Sequence, residues 1–228
     1  MNLIFADRTE AGKRLKEKIG EKLEGFKNTV ILAIPRGGVP VAFQVAKGLK
    51  IPFHLVITKK LTTPQASEVA IGAIAPDGSY ELNERIYSYF NPSKEEFENI
   101  KAKALEKVKR RIKKYTNYME PVIKGKKVII IDDGIATGYT ALVAGEYAKN
   151  RGAKECILAV PVCPADSVSR MLYVFDDFIY VHSSRNPNFA VGAYYQDFHQ
   201  NKDNELKEYL KRAKASNLLY NNLEKAEI

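Results

Sequence analysis

The stretch VIIIDDGIATGYTA, residues 128–141, decides how the chain is read. Val128, Ile129, Ile130 and Ile131 run directly into Asp132 and Asp133, and then into a loop of small and hydroxyl-bearing residues. An apolar run without polar alternation is the pattern of a strand covered on both faces, as in parallel sheets. Two carboxylates at the end of such a strand are costly to bury unless partners meet them there. Gly134 and Gly138 permit close backbone approach, Ala136 adds little bulk, and Thr137 and Thr140 bring hydroxyl donors. A helix expected from about Tyr139 to Asn150 opens with amides that have no partner within it, so an anion fits at this loop. A phosphate cradle beside an acidic pair suits a sugar phosphate, with vicinal hydroxyls donating to the carboxylates.

A second small-residue loop, PRGGVP at 35–40, follows another buried strand expected at 29–35. Working outward, a charged amphipathic helix is expected over 8–24, capped by Asp7 or Thr9. A helix follows PRGG with an apolar stripe at Val41, Val45, Ala46 and Leu49. A strand is expected at 53–58, then a hairpin of VAIGAIA and SYELN around Pro-Asp-Gly. Ser93 caps a long basic helix to about Tyr118, with Glu96 completing a capping box. Gly152 stops the helix after the acidic loop. Strands at 155–162 and 178–183 flank a helix opening in PADSVSRML, and the tail over 201–227 reads as polar and helical. Alternating strands and helices give an α/β fold with a mainly parallel sheet flanked by helices. Ligands in such sheets bind beyond the carboxyl ends of strands, where both loops fall.

Bulk properties narrow the classes. The 228 residues carry a net charge of +9, with 45% hydrophobic and 28% charged residues, which is ordinary for a globular domain. No apolar run reaches the roughly 18 residues of a membrane helix. The N-terminal segment turns charged after five residues, unlike a secretory signal, so a cytoplasmic location is expected. Cys156 and Cys163 form no disulfide or zinc pattern, and His54, His182 and His199 lack ligand spacing, so no metal ligands are assigned. Much of the positive charge lies in the 101–115 helix, where Ala104, Leu105, Val108 and Ile112 form the apolar stripe. A solvated face is the plainer reading of that charge; without aromatic interleaving, nucleic acid is not expected as a partner. Neither loop carries GxGxxG or the P-loop lysine pattern, which disfavours a dinucleotide enzyme or an ATPase.

The segment VIIIDDGIATGYT resembles the signature of the type I phosphoribosyltransferases, with Gly134 where an aliphatic residue or serine is more usual. Within them, the chain is similar to a little-characterised group of predicted phosphoribosyltransferases. It shares their DRxxAG at 7–12, PRGGVPVA at 35–42, AIGA at 70–73 and YxDF at 195–198. It departs at TTPQASE, 62–68, where relatives tend to carry a glycine and Asn-Pro.

This resemblance implies a single phosphoribosyltransferase-like domain over 1–228, with a small hood drawn from 62–118 and 184–228. The implied reaction transfers the 5-phosphoribosyl group of phosphoribosyl pyrophosphate (PRPP) to a nitrogen acceptor, a nucleobase or related compound, releasing pyrophosphate. Thr137, Gly138 and Thr140, with the Ile135 and Ala136 amides and Gly134, would hold the 5′-phosphate. Asp132 and Asp133 would take the ribose hydroxyls, with Asp133 counted among the catalytic groups. Arg36, Gly37 and Gly38 would bind pyrophosphate, and the family often uses a strained or cis peptide there. Lys59 or Lys60, ending the second strand, would stabilise the leaving charge, and 59–68 is the candidate mobile catalytic loop. Magnesium would arrive on the pyrophosphate and keep several waters. Phe189, Tyr194 and Tyr195 could stack on an aromatic acceptor or pack the tail. Two other readings are a PRPP-sensing, non-catalytic regulator that binds nucleic acid and a sugar-phosphate phosphatase or kinase. For the first no DNA-binding domain is visible, and for the second no nucleophile or nucleotide loop. A homo-oligomer is left open, and no interface is legible.

Overall fold

A computed structural model describes residues 3–226. Five parallel strands form its central sheet: β1 (Thr29–Ala33), β2 (Phe53–Leu55), β7 (Lys127–Ile131), β8 (Glu155–Pro164) and β9 (Asp177–Ser184), in the order β2-β1-β7-β8-β9. β1 and β7 pair over their full length, from Thr29 opposite Lys127 to Ala33 opposite Ile131. The chain builds outward from β1 to β2 on one side, and from β7 to β8 and β9 on the other. The switch in strand order therefore falls between β1 and β7, and the loops after both strands open side by side above it.

Alternation within each strand divides the core into two layers. Ile31, Ala33, Ile129 and Ile131 face the helices α1 (Arg8–Lys22) and α2 (Gly38–Leu49). Val30, Leu32, Val128 and Ile130 face α5 (Tyr139–Asn150) and the short α6 (Ser167–Met171). Both cysteines are buried and free, and burial pushes each thiol up to about 12. Of the two candidate caps for α1, Asp7 accepts from the Glu10 amide at 2.8 Å.

A three-stranded antiparallel sheet, β3 (Lys59–Thr63), β4 (Ala66–Ile74) and β5 (Tyr80–Leu82), stands apart and forms the hood with α3 (Glu84–Phe90) and α4 (Lys94–Thr116). The expected hairpin is its β4–β5 pair. The second parallel strand is shorter than expected and stops at Leu55, so Lys59 and Lys60 do not end it; they open β3, paired opposite Ile74 and Ala73. The segment 59–68 is accordingly a hairpin arm rather than an irregular loop. The long helix carries the expected Ser93–Glu96 capping box, and Phe97 and Ile100 extend its buried stripe of Ala104, Val108 and Ile112. The tail departs from a continuous helix: α7 (Asp203–Ala215) ends, and β10 (Leu223–Lys225) pairs with β6 (Met119–Pro121). Glu227, the expected end of that helix, lies outside the described residues. Among the described residues no helix is long and apolar enough to cross a membrane.

The AIGA stretch has a packing reason. A Cβ on Gly72 would run into the carbonyl oxygen of Glu81 and lie 3.1 Å from the Leu82 Cα, so β5 would have to leave β4. Gly72→Ala is expected to destabilise the protein by about 2 kcal/mol, because backbone rather than a side-chain tip must move. Urea denaturation against wild type measures it.

Candidate active site

The two strand-end loops are packed into each other. Ile34, just past β1, donates its amide to the Ile131 carbonyl at 2.9 Å, which seats 35–38 on the acidic pair. A Cβ on Gly37 would lie 2.5 Å from the Asp133 Cγ, and one on Gly38 would lie 2.6 Å from the Ile131 oxygen and 2.8 Å from the Asp132 Cα. At Gly38 the backbone excludes a side chain, and at Gly37 one would displace the Asp133 carboxylate. The peptide between Pro35 and Arg36 is cis. The Gly38 amide is spent on the Ile34 carbonyl at 3.1 Å. Gly37 thus makes room for the Asp133 carboxylate, and Gly38 for the backbone at the end of β7.

Asp133 meets a counter-charge to which the sequence alone gives no role. Arg8, in the first turn of α1, donates from Nε to Asp133 Oδ2 at 2.7 Å, with side-chain exposures of 9% and 14%. The same guanidinium donates from Nη1 to the His199 carbonyl at 2.9 Å and stacks against the Phe198 ring, 4.0 Å from its centroid. Tyr195 donates its hydroxyl to the Asp133 carbonyl at 2.5 Å. DRxxAG and YxDF, far apart in sequence, therefore meet around one aspartate. Tyr194 stacks on Phe189 with centroids 5.2 Å apart, so Tyr194 and Tyr195 pack the segment that follows β9. Burial raises the Asp132 pKa well above an ordinary aspartate, and the neighbouring Asp133 charge adds to this. Burial also raises Asp133, against the opposing pull of Arg8.

The loop after the acidic pair turns into α5 through Gly138, whose φ of +76° is a conformation that favours glycine. The amides of Tyr139, Thr140 and Ala141 open α5 without a carbonyl one turn back. The Ile135 amide is not free for an anion, because it donates to the Val162 carbonyl at 3.1 Å. Ala136 and Thr137 are exposed. Arg170 of α6 donates to the Thr137 carbonyl and lies over the Tyr139 ring, bracing the loop from a residue that no motif had marked. At Gly134 a Cβ would lie 2.6 Å from Val191 Cγ1, which accounts for glycine in place of the bulkier residue usual there.

The remaining expected residues stand around this centre. Arg36 donates to Asp203 of α7 at 3.2 Å. Lys59 and Lys60 line a different cavity, of about 750 Å³, against α4. The Lys59 ammonium is held below the usual lysine range by burial, and then by the charges of Arg111, Lys107 and Lys60. A further cavity of about 730 Å³ opens beyond Thr137, lined by Arg170, Arg185, Asn186 and Phe189. Among the described residues no group of three histidines, cysteines or acids is placed to hold a metal ion.

Breaking the Arg8–Asp133 contact leaves a carboxylate without its counter-charge. Arg8→Met is expected to cost about 3 kcal/mol at pH values where Asp133 is ionised. The cost should shrink as pH falls through the raised pKa of the acidic pair, since a protonated Asp133 no longer needs the cation. Denaturation of both proteins across that range checks the magnitude and the sign.

The phosphoribosyl transferase domain family matches residues 6–197. Two Mycobacterium tuberculosis proteins, from strains CDC 1551 and H37Rv, are each 36% identical over 211 residues, 92% of this chain and 47% of theirs. The H37Rv protein bears the name "Putative phosphoribosyl transferase Rv0571c". The chain thus spans about half the length of these curated relatives. The crystal structure of TT1426 from Thermus thermophilus superposes with a TM-score of 0.74 at 30% identity, covering 92% of this chain and 98% of that one. The chain belongs to the phosphoribosyl transferase domain family.

Proposed function

We propose that the protein transfers the 5-phosphoribosyl group of PRPP to a nitrogen acceptor and releases pyrophosphate. The observation that carries this reading is the abutment of the PRGG loop and the DDGIATGYT loop at the switch point between β1 and β7. One loop offers an arginine for phosphate oxygens. The other offers hydroxyls and helix-opening amides beside carboxylates. In this reading Thr137, Thr140 and the first amides of α5 take the 5′-phosphate. Asp132, with the part of Asp133 that Arg8 leaves free, accepts from the ribose hydroxyls.

Bond breaking at C1 leaves the electron pair on pyrophosphate, the C1–N bond forms, and the acceptor nitrogen gives up a proton. The protein's part is to fix the ribose and neutralise the departing anion. The residues suit magnesium that brings its own oxygen ligands, because Asp133 Oδ2 is already held by Arg8. Bound to pyrophosphate, that ion would offset leaving-group charge. The cavity beyond Thr137 is the place for the acceptor: it adjoins the phosphate loop, and Phe189 offers it an aromatic face.

Thr137→Val removes a hydroxyl donor while keeping the branched shape, at an exposed position where stability is little affected. Calorimetric titration with PRPP and magnesium should show saturable binding to wild type, weakened about tenfold or more in the variant. Equal affinity in both proteins would remove Thr137 from the site, and no binding to either would sink the proposed function.

A further inference from the structure

The environment of Asp203 carries an inference that rests on the phosphoribosyl-transfer reading and extends it. Its carboxylate gathers donors from two other elements. Arg36 Nη1 reaches Oδ1 at 3.2 Å, the Tyr115 hydroxyl reaches the same oxygen at 2.6 Å, and Lys114 Nζ binds Oδ2. Arg36 belongs to the PRGG loop, whereas Lys114 and Tyr115 lie in the last turn of α4. Positive charge exceeds what one carboxylate offsets, because Arg111 lies near both Tyr115 and Lys59, and Lys107 near Lys59. Burial and the Asp203 charge push the Tyr115 hydroxyl up to about 12, so it remains a donor. Hydrogen bonds from Lys114 and Tyr115 hold the Asp203 carboxyl well below the usual carboxylate range, so that group stays ionised.

We propose that Lys114 and Tyr115 of α4 complete, with Arg36, the subsite for the leaving pyrophosphate, and that Asp203 fills this subsite as a stand-in which pyrophosphate displaces. Two planar oxygens held by a guanidinium, an ammonium and a phenol reproduce the donor set a phosphate group takes. Asp203 can leave. Its side chain keeps 32% exposure, and α7 is anchored by Leu206 and Ala213 further along. Pairs this exposed cost little to exchange. Asp203 also lies past residue 197, where the family match ends, so the plug comes from a part of the chain outside the matched domain. The basic face of α4, on this view, serves a small anion.

The test compares wild type, Asp203→Asn, and Asp203→Asn combined with Lys114→Gln by calorimetry. The ligands are inorganic pyrophosphate in excess magnesium, ribose 5-phosphate, and PRPP. Asp203→Asn keeps shape and a carbonyl acceptor but removes the competing charge. It should bind pyrophosphate about fivefold tighter than wild type, with ribose 5-phosphate affinity unchanged. Adding Lys114→Gln should cancel that gain. Unchanged or weaker pyrophosphate binding in Asp203→Asn would show that the carboxylate orients Arg36 rather than occupying its ligand's place. An equal gain for ribose 5-phosphate would reduce the effect to overall charge; either result overturns the proposal. A gain that survives Lys114→Gln would remove Lys114 from the subsite and overturn the proposal as stated. PRPP separates the two levels: binding to wild type with no response to Asp203→Asn refutes only the plug. Failure of every variant to bind PRPP removes the transferase reading and the plug with it.

Discussion

Two adjacent aspartates at the mouth of a buried strand are the constraint around which the rest is arranged. Burial pushes the pKa of both upward. Arg8 opposes this for Asp133, and to reach it α1 must start beside the strand end, with the 195–199 segment folded over the guanidinium. The Asp133 carboxylate fills the space a Gly37 side chain would need, and the backbone at Ile131 and Asp132 fills that of Gly38. Ion pair, aromatic cover and glycine pair are thus one packing problem solved together. That solution ties the first helix, both loops and the segment after β9 to a single point.

The parallel sheet was legible because its strands are covered on both faces and their sequences say so. TVILA and VIII carry no polar residue after their first position, and the helices between them keep amphipathic spacing. The hood was less legible. TKKLTT has charges and threonines that suit a solvated edge as well as a loop, and its pairing with β4 is broken by register shifts. Nothing in the local pattern separates those outcomes. β6 and β10 are three residues each and owe their existence to one another across the chain, which no window of sequence contains.

At the site, loop chemistry was readable while its wiring was not. Small residues and hydroxyls after a buried strand mark a place where a backbone can approach an anion, and both such loops were identified on that ground. That Arg8 belongs to Asp133 was hidden by 125 positions of separation. Its motif was visible as a motif, yet nothing in it named a partner. Lys59 and Lys60 were placed by extending β2 too far. They sit instead at the foot of the hood, where their charges face α4. Arg170 and Asp203 follow the same logic: each is an unremarkable charge on a helix, given meaning by the loop the fold brings beneath it.

The full-length pairing of β1 with β7 fixes how far apart the two loops stand. Five consecutive residues of one strand are in register with five of the other, and the Ile34–Ile131 bond adds one more rung beyond them. Widening the gap between the loops would mean breaking that ladder in the driest part of the molecule. The seam holds the two loops at one separation. What surrounds it is joined by side chains: the first turn of α7 meets the PRGG loop through the Arg36–Asp203 pair, and α4 reaches the same carboxylate through Lys114 and Tyr115. In mechanical terms the protein has a stiff jaw and a soft rim, and differences in ligand choice among such proteins are best sought in the rim.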